Sequence, residues 1–222
     1  MLMNPRPLWL VVAFILCATV SAQSQTSHLV PVKREAGGSG EYRRVIYKKL
    51  LVTPAQFGRM IYEPGWADPE WAVSVYGVRA TKRAEHPYKS YYVTVTRSRS
   101  SIWNILEDQR RGDPHEAIRT SRKDAPISEE LAYALQNAWR TMLSRTRAEE
   151  KMYLFMDAPT VEFTLGSQRG EITPPRKGLT NEMYEIGVAL AKLCDIPADQ
   201  RAAEEKKLIR RIATFERKAR KA

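Results

Sequence analysis

Two stretches of the chain alternate apolar and polar residues with the period of two that is typical of a half-buried β-strand. The sequence WAVSVYGV, residues 71–78, places alternate residues from Trp71 to Val75 on one apolar face. The sequence YKSYYVTVT, residues 88–96, follows the same rule, and we expect this strand to leave the core near Thr96, because arginines then begin to occupy its apolar face. Residues 80–87 would connect the two strands, which predicts a β-hairpin.

Three later stretches carry apolar residues at the spacing of three and four that an amphipathic helix requires. The first begins at Ser128, a residue type that caps helices, and two glutamates occupy its first turn. The second begins with Thr180 as its cap and ends before Pro197, and the third covers about residues 200–218. In chain order the apolar stripes are Leu131, Leu135, Ala138, Trp139 and Met142; Met183, Ile186, Leu190 and Cys194; and Leu208, Ile212, Phe215 and Ala219.

Weaker patterns predict further strands. Residues 42–52 and 60–62 are rich in apolar residues without clean alternation, and we interpret both as strands. Residues 152–165 predict two strands, MYLFM and TVEFTL, separated by a turn at a proline, and glycines then bound a hairpin loop at 166–170. Because the links have hairpin rather than crossover length, the predicted fold class is α+β: an antiparallel sheet of hairpins or a meander, covered on one face by two or three α-helices.

The first 22 residues have the layout of a secretory signal peptide. Arg6 precedes an apolar run, and small residues that fit a cleavage site end at Ala22. The run is shorter than the roughly 20 residues of a membrane-spanning helix, so we expect cleavage near Ala22; an uncleaved N-terminal membrane anchor is the alternative. Polar residues 23–41 predict a flexible leader, and residues 42–222 a single α+β domain that ends in a basic amphipathic helix.

Charge and cysteine content indicate which partners and which cellular compartment to expect. The chain has 36 Lys and Arg against 25 Asp and Glu, and cleavage would remove only Arg6, so the mature protein keeps a large positive charge that favours anionic partners. Cys194 would be the one cysteine left, which rules out an internal disulfide and fits a bacterial periplasmic or secreted protein better than an animal one. Its place on an apolar stripe predicts a core residue rather than a nucleophile.

Basic residues cluster in two candidate binding regions. One lies at the end of the 88–96 strand and in the residues that follow it, and the other lies on the last helix. A basic amphipathic helix can lie on an anionic membrane, but surface helices more commonly pack their apolar stripe on the domain's own core and leave the cations in solvent. The candidate binding residues are Arg97, Arg99, Arg110, Arg111, Arg119 and Arg122 in the first region, and Lys207, Arg210, Arg211 and Lys218 in the second.

Asp157, Glu162 and Glu171 are the carboxylates that we consider for catalysis. Glu162 alternates with Val161 and Phe163, which predicts a solvated strand face, and Asp157 precedes a proline turn where its side chain would accept backbone N–H groups. A glycosidase-type pair needs two carboxylates roughly 5 to 9.5 Å apart across a cleft. Histidine and cysteine spacings match no metal motif, and the chain has no phosphate loop or nucleophile elbow, so the sequence predicts no metal site and no cofactor.

The run from Arg140 to Leu190 resembles a pattern in uncharacterised exported bacterial proteins. In that pattern a helix leads to an Asp-Gly-aromatic strand pair, followed by a Ser/Thr-Pro turn and a helix. The run covers about a quarter of the chain, and it departs from the pattern where Ala158 and Pro159 stand in place of the glycine. The resemblance implies a hairpin followed by a helix, and bacterial export, but no activity.

Two functional hypotheses follow. The first is a non-catalytic binding module of the cell envelope whose basic surface contacts an anionic envelope component or another exported protein, with peripheral membrane contact through the last helix as one form of this. Export disfavours nucleic acid as the partner. The alternative is a hydrolase of unrecognised type that uses Asp157, Glu162 and Glu171, which requires these side chains to converge in one cleft.

Overall fold

A computed structural model describes residues 28–32, 38–64, 68–80, 87–108, 114–148, 159–173 and 177–222. The strands are β1 (Gly58–Glu63), β2 (Trp71–Arg79), β3 (Tyr88–Ser98), β4 (Thr120–Ile127), β5 (Thr160–Leu165) and β6 (Gln168–Ile172). The helices are α1 (Gly38–Leu50), α2 (Ile102–Glu107), α3 (Pro114–Ala117), α4 (Glu129–Leu143), α5 (Gly178–Leu193) and α6 (Ala198–Lys221). The strands form one sheet in the order β4-β3-β2-β1-β5-β6, with every neighbouring pair antiparallel. The predicted α+β class with an antiparallel sheet is confirmed.

Helices cover both faces of this sheet. The helices α4, α5 and α6 bury one face, and the main core lies between them and inward residues such as Met60 and Val73. The opposite face carries α1 and α2, whose apolar residues pack on Ile61 and Ala72. The expectation of helices on one face only was therefore wrong, because successive side chains of a strand point to opposite faces and each face has its own helices. In the described part of the chain, no helix combines the length and apolarity needed to cross a membrane.

The hairpin of β2 and β3 is confirmed, and it extends further than predicted. Val75 pairs with Val93 and Val73 pairs with Val95 on the main core face. The strand β3 does not leave the core near Thr96 but continues to Ser98, and both residues are buried. Thr96 and Ser98 are buried because they point to the face of the sheet that α1 and α2 cover.

Residues 42–50 form a helix where the sequence predicted a strand. Tyr42, Val45, Ile46 and Leu50 are buried together, and their spacing of three and four residues brings them to one side of α1. An acid in the first turn and two lysines in the last turn favour the helix through its dipole. The apolar richness of this segment was correctly noted, but its period was read wrongly. The strand predicted over residues 60–62 is confirmed as part of β1.

Part of the predicted leader belongs to the folded protein. Leu29 is fully buried, and Val30 exchanges two backbone hydrogen bonds with Glu171, of 2.9 and 2.8 Å, so residues 28–32 cover the outer edge of β6. The helix α1 also begins within the range assigned to the leader. The prediction of a flexible leader over residues 23–41 is therefore wrong for these residues. Leu29 is an apolar residue in a polar segment, and it packs into the main core.

The second hairpin, of β5 and β6, is tighter than predicted. It turns through two residues, Gly166 and Ser167, and Gly166 has a φ of +59°, which favours glycine. The longer loop predicted over residues 166–170 was wrong, because Gln168 already pairs with Leu165. The predicted MYLFM strand and the start of the following turn lie outside the described residues.

The helix predictions hold with adjusted ends. Ser128 caps α4, with its Oγ 3.2 Å from the backbone N of Leu131, as predicted. The helix α5 begins at Gly178, so Thr180 lies inside the first turn and is not the cap. The predicted apolar stripe of α6 is buried.

Candidate functional site

The first predicted basic region does not form one patch. The β3–β4 register pairs Arg97 with Ser121 and Thr96 with Arg122, so the side chains of Arg97 and Arg122 lie on opposite faces of the sheet. Arg97 and Lys123 both form ion pairs with Asp195, at 3.3 and 2.6 Å. Both contacts lower the pKa of Asp195, and the hydrogen bond from Lys123 has the larger effect.

The remaining members of this region add little to a common surface. The Arg122 guanidinium binds Asp124 through both of its carboxylate oxygens. Arg99 and Arg119 are exposed and joined by a backbone hydrogen bond of 2.9 Å. Arg110 and Arg111 lie outside the described residues.

The second predicted region, on α6, has a fixed orientation. The apolar side of the helix packs against α4 and α5, and Leu208, Ile212, Phe215 and Ala219 are all buried there. This apolar side is therefore not available to a membrane, and the cations of α6 are held on the outside of the protein.

Three of the four predicted α6 residues are already paired with acids. Lys207 lies 2.6 Å from Glu204, Lys218 lies 2.8 Å from Glu182, and Arg211 lies 4.0 Å from Glu185. Exposed pairs of this kind contribute little to stability, about 0 to 1 kcal/mol each, but they reduce the charge that the helix presents on the side facing α5.

Six other cations of α6 have no acidic oxygen within 4.0 Å among the described residues. Arg201 is partly buried and donates to the carbonyl oxygens of Leu193 and Ile196, and the other five are exposed. At about 100° per residue they fall within roughly 100° of one another on the helix, opposite its apolar side, and they span about 22 Å along its axis. We call this set the cation stripe: Lys206, Arg210, Arg217, Arg220 and Lys221. Only Arg210 among them was singled out as a binding residue from the sequence. The acids that pair with Arg211 and Lys218 come from α5, so these two ion pairs are not visible in the pattern of α6.

Glu162 lies in a cleft and not on a solvated strand face. Its side chain is 1 % exposed, because α1 covers the face of the sheet to which it points. The Tyr47 hydroxyl donates a 2.5 Å hydrogen bond to Oε2, while Oε1 lies 3.9 Å from Nη1 of Arg169 and accepts no hydrogen bond from the described residues. Burial raises the pKa of Glu162, opposed by the Tyr47 hydrogen bond and the Arg169 charge. Burial and the hydrogen bond to Glu162 likewise raise the pKa of Tyr47.

Glu171 is the cross-strand neighbour of Glu162 but has a different role. It is buried, and its Oε2 lies 3.0 Å from Nη2 of Arg43, whose Nε lies 3.5 Å from the buried Glu63. This ion pair ties α1 to the sheet and commits Glu171 to structure. Two of the three predicted carboxylates are thus adjacent, whereas Asp157 lies outside the described residues.

The cleft beside Glu162 has a volume of about 380 Å³. Its walls come from the end of α1, the segment that follows it, β1, and the β5–β6 hairpin. We call it the Glu162 cleft, and it is lined by Tyr47, Leu51, Pro54, Ala55, Gln56, Arg59, Glu162, Thr164, Gly166 and Arg169. Of these, the sequence indicated only Glu162, because the lining brings together residues from distant parts of the chain that share no motif.

Two arginines frame the Glu162 cleft. Arg59 is held by hydrogen bonds from Nε to Oγ of Ser74, at 2.9 Å, and from Nη2 to the carbonyl oxygen of Thr53, and its Nη1 has no hydrogen-bond partner among the described residues. Arg169 is about half exposed and lies over the Tyr47 ring, 5.5 Å from the ring centre. The cleft therefore contains two guanidinium groups and one carboxylate.

Among the described residues, neither a metal-binding cluster nor a reactive thiol is present. Within them, no three His, Cys, Asp or Glu side chains are grouped closely enough to hold a metal ion. Cys194 is partly buried, its thiol donates to the carbonyl oxygen of Val93 at 3.6 Å, and burial raises its pKa to about 11. A thiol of this kind is largely protonated at neutral pH and is a poor nucleophile.

No protein-family model matches the chain, and neither the curated proteins nor the solved structures contain a significant match to it. The resemblance to exported bacterial proteins therefore stays a prediction, and function has to be argued from the residues.

Proposed function

We propose that this chain is an exported, non-catalytic binding module of the bacterial envelope, and that its partner is an anionic polymer contacted by the cation stripe of α6. The observation that carries the proposal is the sorting of the cations on this helix. Those facing α5 are paired with acids, whereas the stripe on the outer side has five cations without acidic partners in the described part of the chain.

The fixed position of the helix supports binding by charge. Because the apolar side of α6 is buried in the core, the stripe is a straight row of cations on a rigid support. Such a row matches an extended polymer of phosphates or carboxylates, and it binds without the cost of ordering the helix. A membrane would gain only electrostatic contact, since the apolar residues that would enter the lipid are covered.

The proposal is tested with two variants that remove the same charge from different sides of the helix. The stripe variant carries Lys206→Gln, Arg210→Gln and Arg217→Gln. The control variant carries Lys207→Gln, Arg211→Gln and Lys218→Gln. Binding to inorganic polyphosphate, to polyglutamate and to vesicles containing an anionic lipid is measured by titration at low salt.

We expect the stripe variant to bind the polymers about 100-fold more weakly, since each lysine or arginine near an anionic surface contributes about 1 kcal/mol. The control variant should lose no more than about tenfold, and wild-type binding should weaken as salt shortens the Debye length from ~10 Å toward ~3 Å. Equal losses in the two variants would show that only net charge matters, and absence of binding at low salt would remove the proposal. Tighter binding to vesicles than to either polymer would replace the polymer with a lipid surface.

The hydrolase alternative has less support. Among the described residues, Glu162 is the only carboxylate that lines the cleft, and Glu171 is engaged with Arg43. A carboxylate pair acting across the cleft would need a second acid there. The cleft is better suited to binding.

A further inference from the structure

The Glu162 cleft is separate from the cation stripe. Its volume of about 380 Å³ falls within the usual range of small-molecule sites, about 300 to 1,000 Å³. The stripe lies on a helix that packs on the opposite face of the sheet, so the two sites can be tested separately.

The first requirement that the cleft places on a ligand is a hydrogen-bond donor. Glu162 is almost completely buried, one of its oxygens accepts from Tyr47, and the other accepts no hydrogen bond from the described residues. Nearly all buried polar atoms in proteins have a partner. An N–H or O–H group of a ligand placed in the cleft would supply one.

The second requirement is a negative charge. Arg59 and Arg169 both line the cleft, against a single carboxylate. Arg59 is fixed by Ser74 and Thr53, which leaves Nη1 without a protein partner among the described residues. Arg169 rests on the Tyr47 ring with half of its side chain in solvent. Guanidinium groups bind carboxylates with charge-assisted hydrogen bonds that are stronger than neutral ones.

From these two requirements we propose that the Glu162 cleft binds a small carboxylate that carries a hydrogen-bond donor on the adjacent carbon, the chemistry of an α-hydroxy or α-amino acid. The ligand carboxylate contacts Arg59 and Arg169. The donor contacts the buried Glu162 oxygen that accepts no hydrogen bond from the described residues. The Tyr47 hydroxyl holds the other oxygen and so fixes the direction of the carboxylate.

The test uses three probes of nearly equal size and the full chain. Glycolate and glycine carry a carboxylate with an adjacent donor, and acetate carries the carboxylate alone. Binding is followed by nuclear magnetic resonance as saturable shifts of the backbone amides of Gly166 and Arg169. We expect glycolate or glycine to bind at least about tenfold more tightly than acetate, the factor that corresponds to a hydrogen bond of about 1.4 kcal/mol.

Variants separate the two contacts. Arg169→Gln, at an exposed position, should weaken all three probes together. Glu162→Leu, which has no acceptor oxygen, should abolish the preference over acetate while the protein remains folded by circular dichroism. Arg122→Gln, at the opposite end of the sheet, is the control and should change nothing.

The inference is overturned if neither glycolate nor glycine shifts the cleft amides at millimolar concentration, or if acetate binds as tightly as they do. It is also overturned if Arg169→Gln leaves the binding of all three probes unchanged. None of these outcomes bears on the polymer-binding proposal, because the variants of that test lie on α6.

Discussion

Replacement of Arg43 tests how the polar face of the sheet is held together. Arg43 is buried between two buried acids, Glu171 at 3.0 Å and Glu63 at 3.5 Å. At an effective dielectric constant of about 20, each contact corresponds to a gross attraction of about 5 kcal/mol, against which desolvation costs several kcal/mol per ion. Arg43→Met removes the attraction and leaves both acids buried.

Removing one partner of a buried ion pair typically costs about 3 to 5 kcal/mol, because the charge that remains is buried without its partner. We therefore expect Arg43→Met to lower the free energy of unfolding by about 3 to 5 kcal/mol at pH 7.

The assay is urea unfolding followed by tryptophan fluorescence at pH 7. Arg44→Met, at the exposed neighbouring position of the same helix, is the matched control and should change stability by less than about 0.5 kcal/mol. Adding Glu63→Gln and Glu171→Gln to Arg43→Met should recover much of the loss, since no buried charge remains. If Arg43→Met is as stable as Arg44→Met at pH 7, the ion pairs contribute nothing and the reasoning fails.

Three further predictions concern other buried groups. Glu70 is fully buried and accepts hydrogen bonds from the backbone N of Ile102 and Trp103 at the start of α2. We expect Glu70→Ala to lower the free energy of unfolding by about 3 kcal/mol. An effect as small as that of Asp68→Ala, at an exposed position, would contradict this. Burial raises the pKa of Glu162 above its usual 4.5, so the folded state binds a proton on this carboxylate more tightly than the unfolded state does. The wild-type protein should therefore gain stability relative to Glu162→Gln as the pH falls from 7 toward 4.5. A difference in urea unfolding between the two proteins that does not change with pH would count against this prediction. With a pKa of about 11, Cys194 should react with iodoacetamide at pH 8 about 100-fold more slowly than an ordinary thiol, and alkylation at the ordinary rate would show an exposed thiol.

Strong periodicity was enough to predict most of the architecture. The helices α4, α5 and α6 each show apolar residues at helical spacing over several turns, and β2 and β3 alternate over at least six residues. Such patterns persist because each element buries one side in the main core. The pattern of α1 is harder to read, since apolar residues also continue beyond the helix to Val52, which is 58 % exposed.

The candidate site was less accessible to sequence reasoning. Alternation along β5 correctly assigned Glu162 to the face opposite Phe163, but it contains no information on whether that face is covered. The cover comes from α1, and the ion pair between Arg43 and Glu171 joins residues 128 positions apart. Contacts of that range depend on the tertiary structure, and no local pattern in a single sequence encodes them.

The central claim is that an anionic polymer binds along the outer side of α6. The most direct measurement is nuclear magnetic resonance mapping, in which inorganic polyphosphate is added to the isotope-labelled chain at low salt and backbone shifts are followed. The account predicts saturable shifts along the cation stripe, from Lys206 to Lys221, that disappear in the stripe variant and persist in the control variant. Shifts confined to the β3–β4 arginines, Arg97 to Arg122, or the absence of shifts on α6, would contradict it.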